Sequence, residues 1–265
     1  MTEAPELEGE KVPAVPAAMD SAGFGGHLVV QSNELIEACY KLTLHEHRLL
    51  QCSIAQLDSR RPATDQPALE IGIHAKWIKI SIADYVSTFP DCSGSKSLPT
   101  ELKEAADELY DRDIKVRAAN GDDYRLRWLG ARAVKKNGAI MLNFSDAVLP
   151  YLTALKGSFT KYYLRDSKGL RQPNSLRIFE HLMRNRHTGL WRIELDELCL
   201  RLDLPYDRFT DVRRRVIEPA IVEIEEKSNL VVDWEPIKEG RAVKWLEFRF
   251  GPGPRASKPK QADLF

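Results

Sequence analysis

Pro205 separates two short segments with helical apolar spacing, and its surroundings constrain the fold more than any other part of the chain. Before it, Trp191 to Ile193 has strand character, and residues 194–202 place Leu195, Leu198 and Leu202 on one helical face. The proline ends that helix. From Tyr206 a second helix carries Phe209, Val212, Val216, Ala220, Ile221 and Ile224 at helical spacing, which fits packing against the first. Arg208, Asp211, Arg214 and Arg215 then point outward, with Arg213 near the core boundary. Two β-rich runs follow, 230–235 and 243–250, joined by a turn holding Lys238, Gly240 and Arg241.

Strand, helix, helix, hairpin is the order of a winged helix. In a helix-turn-helix the second helix enters the DNA major groove, where Arg can donate two hydrogen bonds to guanine, and wing cations reach phosphate. Taken alone, an arginine run favours a solvated, salt-bridged helix face over DNA. The element order around this run favours DNA.

The same order occurs upstream. Ser32 or Asn33 can cap a long helix carrying Leu35, Ile36, Cys39, Leu42, Leu49, Leu50 and Ile54 inward. A strand at 77–80, a short helix at 83–88 and a longer helix at 98–110 follow, the last with Ser97 or Thr100 as cap and Pro99 in its first turn. β-like runs at 126–134 and 139–144 flank Lys135-Lys136-Asn137-Gly138, a strong hairpin signal. The second copy starts with the helical run 175–183. The predicted fold is α+β, with two winged-helix domains in tandem and disordered tails. Its divisions are a tail at 1–26, a first domain at 27–148, a connection at 149–173, a second domain at 174–250 and a tail at 251–265.

Formal charge is zero, with 39 basic and 39 acidic side chains. Glu3, Glu6, Glu8, Glu10 and Asp20 outweigh Lys11 in the first tail, so the remainder is mildly basic. Cys39, Cys52, Cys92 and Cys199 lack the close pairing of a zinc or redox motif. No signal segment or bilayer-length apolar run is present, which makes a reducing cytoplasm the expected compartment.

Residues 31–38, 40–44 and 48–50, together with Phe209 and 212–224, resemble plasmid replication initiators of the Rep-3 type, across roughly residues 28–250. The resemblance implies tandem winged helices that bind direct repeats at an origin as monomers. It also implies dimers that bind inverted repeats and repress their own gene. Carried onto this chain, base reading falls on Arg208, Arg214 and Arg215, with Arg213 as a further candidate, and backbone contact on Lys238, Arg241 and Lys244. In the first domain the corresponding residues are Lys96, Ser97 and Lys103 on the helix and Lys135 and Lys136 on the hairpin. The host initiator ATPase and replicative helicase are the implied partners, and the Leu126 to Phe144 hairpin is the expected dimer contact. A winged-helix repressor without initiator activity is the alternative.

The chain closes on Gln261-Ala262-Asp263-Leu264-Phe265, which resembles the Gln-x-x-Leu-Phe peptides that dock onto the DNA sliding clamp. A Leu-Phe pair on a polar tether suits an apolar pocket.

Enzymatic alternatives fare poorly. His45-Glu46-His47 and Tyr162-Tyr163 superficially suggest a nicking site, but on a helix the two histidines diverge by about 200°. Gly94-Ser95-Lys96-Ser97 lacks the glycine spacing and Gly-Lys pair of a phosphate loop. His27, His74, His181 and His187 show no metal-ligand spacing. No catalytic group, metal or cofactor is expected.

Overall fold

A computed structural model gives the structure at residues 23–66, 71–72, 75–117, 121–206 and 208–253. The first tail through residue 22, His74 and the clamp-like peptide Gln261 to Phe265 lie outside the described residues.

The chain runs through β1 (Leu28–Ser32), α1 (Asn33–Glu37), α2 (Leu44–Ile54), the short pair β2 (Ile71–Gly72) and β3 (Ala75–Lys76), and β4 (Ile78–Ile80). Then come α3 (Ile82–Thr88), α4 (Leu98–Asp111), β5 (Asp113–Arg117), β6 (Asp123–Arg127), β7 (Leu129–Val134) and β8 (Ile140–Phe144). β9 (Phe159–Tyr163), α5 (Leu164–Ser167) and α6 (Pro173–Arg184) connect to β10 (Leu190–Glu194), α7 (Leu195–Arg201) and α8 (Phe209–Val212). A π-helical turn (Arg213–Ile217), α9 (Glu218–Lys227), β11 (Leu230–Glu239) and β12 (Ala242–Pro252) complete the order.

Two antiparallel sheets share one topology. In the first the order is β4-β8-β7, and in the second β10-β12-β11, so in each a lone strand pairs with the returning arm of a hairpin. The architectural duplication expected from sequence is present.

The expected long first helix is two helices. Thr43 and Glu46 form a reciprocal cap at α2: the Thr43 hydroxyl accepts the Glu46 N–H at 3.4 Å, and the Glu46 carboxylate accepts the Thr43 N–H at 2.6 Å. Between the helices Cys39 exchanges backbone hydrogen bonds with Lys115 at 2.9 and 3.0 Å. Leu35, Ile36, Leu42, Leu49, Leu50 and Ile54 are nonetheless all buried.

The segment 149–173 does more than connect. β9 pairs along all of β1 in a separate two-stranded sheet, with Thr160 and Tyr162 turned inward. Residues 23–26, assigned to the tail from sequence, also join the first core. Phe24 is buried and its N–H donates to Thr88 Oγ1 at 2.8 Å. Gly23 has φ +71°, and a Cβ there would lie 2.6 Å from Thr88 Oγ1, so glycine is required.

α6 lies in both cores. Toward the first, Arg177 donates to the Ile36 and Ala38 carbonyls at 2.9 Å each, bonds the Tyr40 hydroxyl and pairs with Glu180 at 3.1 Å. Glu180 also accepts from the Tyr162 hydroxyl at 3.1 Å and Gln31 Nε2 at 3.4 Å, and lies 3.0 Å from His47 Nε2. Burial alone would raise the Glu180 pKa, but His47, Arg177 and Tyr162 more than offset it and hold the carboxyl down to about 2. Toward the second core, His181 stacks on Trp191, which stacks on Phe248 at 4.9 Å. At the start of α6, Glu223 of α9 accepts the Arg171 and Gln172 N–H groups at 2.9 and 3.2 Å, supplying acceptors that a helix start lacks. Among the described residues no helix is long and apolar enough to cross a membrane.

Candidate nucleic-acid interface

α7 and α8 meet through a turn in which Asp203 takes φ +49° and the Leu204 N–H returns to the Cys199 carbonyl at 2.9 Å. Arg208 caps α8 with extended backbone, φ −113° and ψ 131°, and its carbonyl accepts the Asp211 and Val212 N–H groups. Val212, Val216, Ile217, Ala220, Ile221 and Ile224 are buried, so the rod is fixed to the domain by one face.

Arg208, Arg213, Arg214 and Arg215 are all exposed. Arg213 departs from the expected core boundary: its side chain is 51% exposed, donates to Glu218 Oε1 at 2.7 Å and lies 5.9 Å from the Trp234 ring centroid. Arg215 pairs with Asp211 at 3.4 Å and lies 5.6 Å from the Tyr206 ring centroid. Among the described residues, Arg208 and Arg214 have no side-chain hydrogen bond or ion pair. Their guanidinium donors are therefore open to a ligand.

The hairpin of β11 and β12 turns at Gly240, φ +64°. Lys238 and Arg241 are exposed there with no ion pair among the described residues. Lys244 differs, because its Nζ holds Glu239 at 2.7 Å; that hydrogen bond, with the carboxylate charge, raises its pKa. Outside the expected set, Arg192 lies over the Trp245 ring at 5.0 Å. The two are diagonal neighbours across β10 and β12, where Arg192 stands opposite Glu247 and Glu194 opposite Trp245, a relationship that exists only once the strands pair.

The first domain presents fewer free cations. Lys96 and Lys103 are exposed, but Ser97 Oγ is engaged by Glu101 Oε1 at 2.6 Å. α4 also carries Glu101, Glu104, Asp107, Glu108 and Asp111 against Lys103 alone. Arg132 pairs with Asp107 at 2.7 Å and Arg112 with Glu108 at 3.2 Å. Lys135 and Lys136 are exposed at the β7–β8 tip. Asn137-Gly138 forms the turn there, with Gly138 at φ +82°.

A cleft of about 460 Å³ separates the domains, lined by Cys39 and Lys115 from one and by Asp203, Tyr206, Arg208 and Phe209 from the other. Arg208 and Lys115 thus share one recess. Lys115 lies outside the residues expected from sequence; it stands on β5, between the expected helix and hairpin.

The histidines of the 45–47 run point to different partners: His45 bonds the Tyr85 hydroxyl at 2.7 Å, whereas His47 meets Glu180. Tyr162 is buried, and Arg165 lies 4.2 Å over the Tyr163 ring. Among the described residues no group of three or more His, Cys, Asp or Glu side chains could hold a metal ion.

Residues 28–183 match the family described as Initiator Replication protein, WH1, and residues 194–250 match Initiator Rep protein, WH2. A "Replication initiation protein" of Escherichia coli is 28% identical over 231 residues, 84% of this chain and 69% of that protein. An "Uncharacterized 27.6 kDa protein" of Escherichia coli is 28% identical over 221 residues, 80% of this chain and 91% of that one. Among solved structures, the Pi initiator protein in complex with iteron DNA superposes with a TM-score of 0.70 at 23% identity, covering 87% of this chain and 99% of the other. With two winged helices matched in chain order over most of its length, the chain belongs to the replication initiator protein family.

Proposed function

We propose that this protein initiates plasmid replication by binding direct repeats at the origin, with the second winged helix as its main reading unit. The observation that carries this reading is the pairing of unengaged arginines on the exposed helix, Arg208 and Arg214, with unengaged cations on the adjacent hairpin, Lys238 and Arg241. The first set suits base edges and the second suits phosphate. The solved Pi initiator was bound to iteron DNA, which supports repeated duplex sites as the ligand class.

The first domain adds contacts through Lys96, Lys103, Lys135 and Lys136, with Ser97 held by Glu101. It also carries the dimer contact, because β6 and β7 each pair on one edge only among the described residues. The dimer binds an inverted repeat and represses the protein's own gene. Bound protomers recruit the host initiator ATPase and replicative helicase to open strands, and Gln261 to Phe265 engages the sliding clamp. The assembly works in the cytoplasm, and neither cofactor nor catalytic step of its own enters this scheme.

Sequencing the fragments retained from sheared plasmid and host DNA at near-physiological salt tests the proposal, since weak nonspecific binding is suppressed there. Clustered direct repeats are the expected result. Isolated inverted sites alone would identify a repressor, and no enrichment would refute DNA reading.

A further inference from the structure

The rod that carries the arginines is not a regular α-helix. Between α8 and α9 the Glu218 N–H donates to the Arg213 carbonyl, five residues back, and Arg213 to Ile217 form one π-helical turn. Pro219 follows immediately. It has no N–H to give, and in a regular helix its ring would collide with the carbonyl of Arg215. The widened turn lies where that collision would occur.

The consequence is rotational. In an uninterrupted α-helix Arg213, Ile217, Ala220 and Ile224 fall at i, i+4, i+7 and i+11, a single stripe. Ile217, Ala220 and Ile224 are fully buried, so Arg213 would be driven into the core. Instead Val212 is the buried member, at 1% exposure, and Arg213 is exposed and bonded to Glu218. The extra residue in the turn changes the phase of everything before it relative to α9 by roughly one residue's rotation, about 100°. Three consecutive arginines, which a regular helix would spread across core and surface, are all left on the exposed side.

We propose that Pro219 is a positioning residue for DNA reading: by excluding a regular helix across 213–217, it sets the rotational phase of Arg213, Arg214 and Arg215 and so decides which bases they reach. The inference rests on the reading role of this helix given above.

The experiment selects bound sequences from a randomised duplex library with the full-length protein and with Pro219→Ala, Arg214→Ala and the double variant Arg213→Leu/Pro219→Ala. In the double variant an apolar side chain continues the buried stripe, which favours the regular helix and keeps the domain folded. For Pro219→Ala and the double variant, the expected result is loss or change of the consensus bases recovered by the parent. Affinity for the parental consensus should fall about tenfold, the scale of one good bidentate contact. For Pro219→Ala, which removes no cation, binding to unrelated duplex and thermal melting should hold, which a purely structural defect would not allow. An unchanged consensus for the folded double variant overturns the role of Pro219. If Arg214→Ala also leaves the consensus unchanged, the reading role of the helix fails as well; if Arg214→Ala alone alters it, only the positioning inference falls.

Discussion

His181 lies flat against Trp191, with ring centroids 4.8 Å apart and planes 11° from parallel. The imidazole is fully buried, and neither ring nitrogen has a hydrogen-bond partner among the described residues. Burial, reinforced by Arg177, Arg201 and Arg184, drives its pKa well below the ordinary value, so it stacks as a neutral ring. An unfolded chain protonates this histidine below about pH 6.5, whereas the folded one does not. Its contribution to stability is therefore present above that pH and is lost as pH falls.

Replacing His181 by Phe keeps the stacked shape and removes the proton site. In urea unfolding the parent should be less stable at pH 5.5 than at pH 7.5 on account of this group, and His181→Phe should remove that share of the difference. An unaltered difference would assign the acid sensitivity elsewhere.

Glu180 governs a lower range. Its carboxyl, held to about 2, contributes stability that is complete above the unfolded value near 4.5 and disappears as pH falls toward 2. Glu180→Gln removes the charge facing buried Arg177 and turns an amide donor toward groups that themselves donate. A loss of roughly 3–5 kcal/mol is expected, the scale for breaking a buried pair from one side. Chemical denaturation at pH 7 reads it directly.

For DNA, Arg214→Ala should cost about 1–3 kcal/mol on the selected site and little on random duplex. Lys238→Ala should weaken both and reduce the slope of log affinity against log salt by about one. Filter binding across a salt series separates the two, and matching effects would contradict the division between base and phosphate contacts.

Deleting residues 261–265 should abolish capture by an immobilised sliding clamp and leave affinity for the repeat unaltered. Clamp capture that survives the deletion would remove this partner.

The alternation and turn chemistry of 191–250 made the second domain legible in outline, since each apolar stripe there packs within a local unit. Two further features have local signals in the sequence. Thr43 and Glu46 stand at capping-box spacing and divide the first helix. Pro219 interrupts a helical run, so the period could not stay regular across it. β9 was readable too, with Thr160 and Tyr162 alternating inward, but its place in a presumed linker concealed it. The polar cluster around Glu180 had no local signature. Its members Gln31, Tyr40, His47, Tyr162 and Arg177 come from five separate stretches, and only tertiary packing brings them together. The candidate site divides along the same line: Arg208 and Arg214 could be named from helical period, whereas the engagement of Lys244 by Glu239 and of Ser97 by Glu101 could not.

Because α6 completes one core with Arg177 and Glu180 and the other with His181, while Glu223 holds the two residues that lead into it, the two winged helices are not beads that can be exchanged at will. A chimera joined at Pro173 would part Glu180 from the Gln31, Tyr40 and His47 that bond it. One joined between Arg184 and Leu190 keeps that cluster whole and instead asks the incoming domain to supply a flat aromatic surface for His181. Transplanting repeat specificity among relatives therefore favours the later junction, with Trp191 as the residue the donor must match.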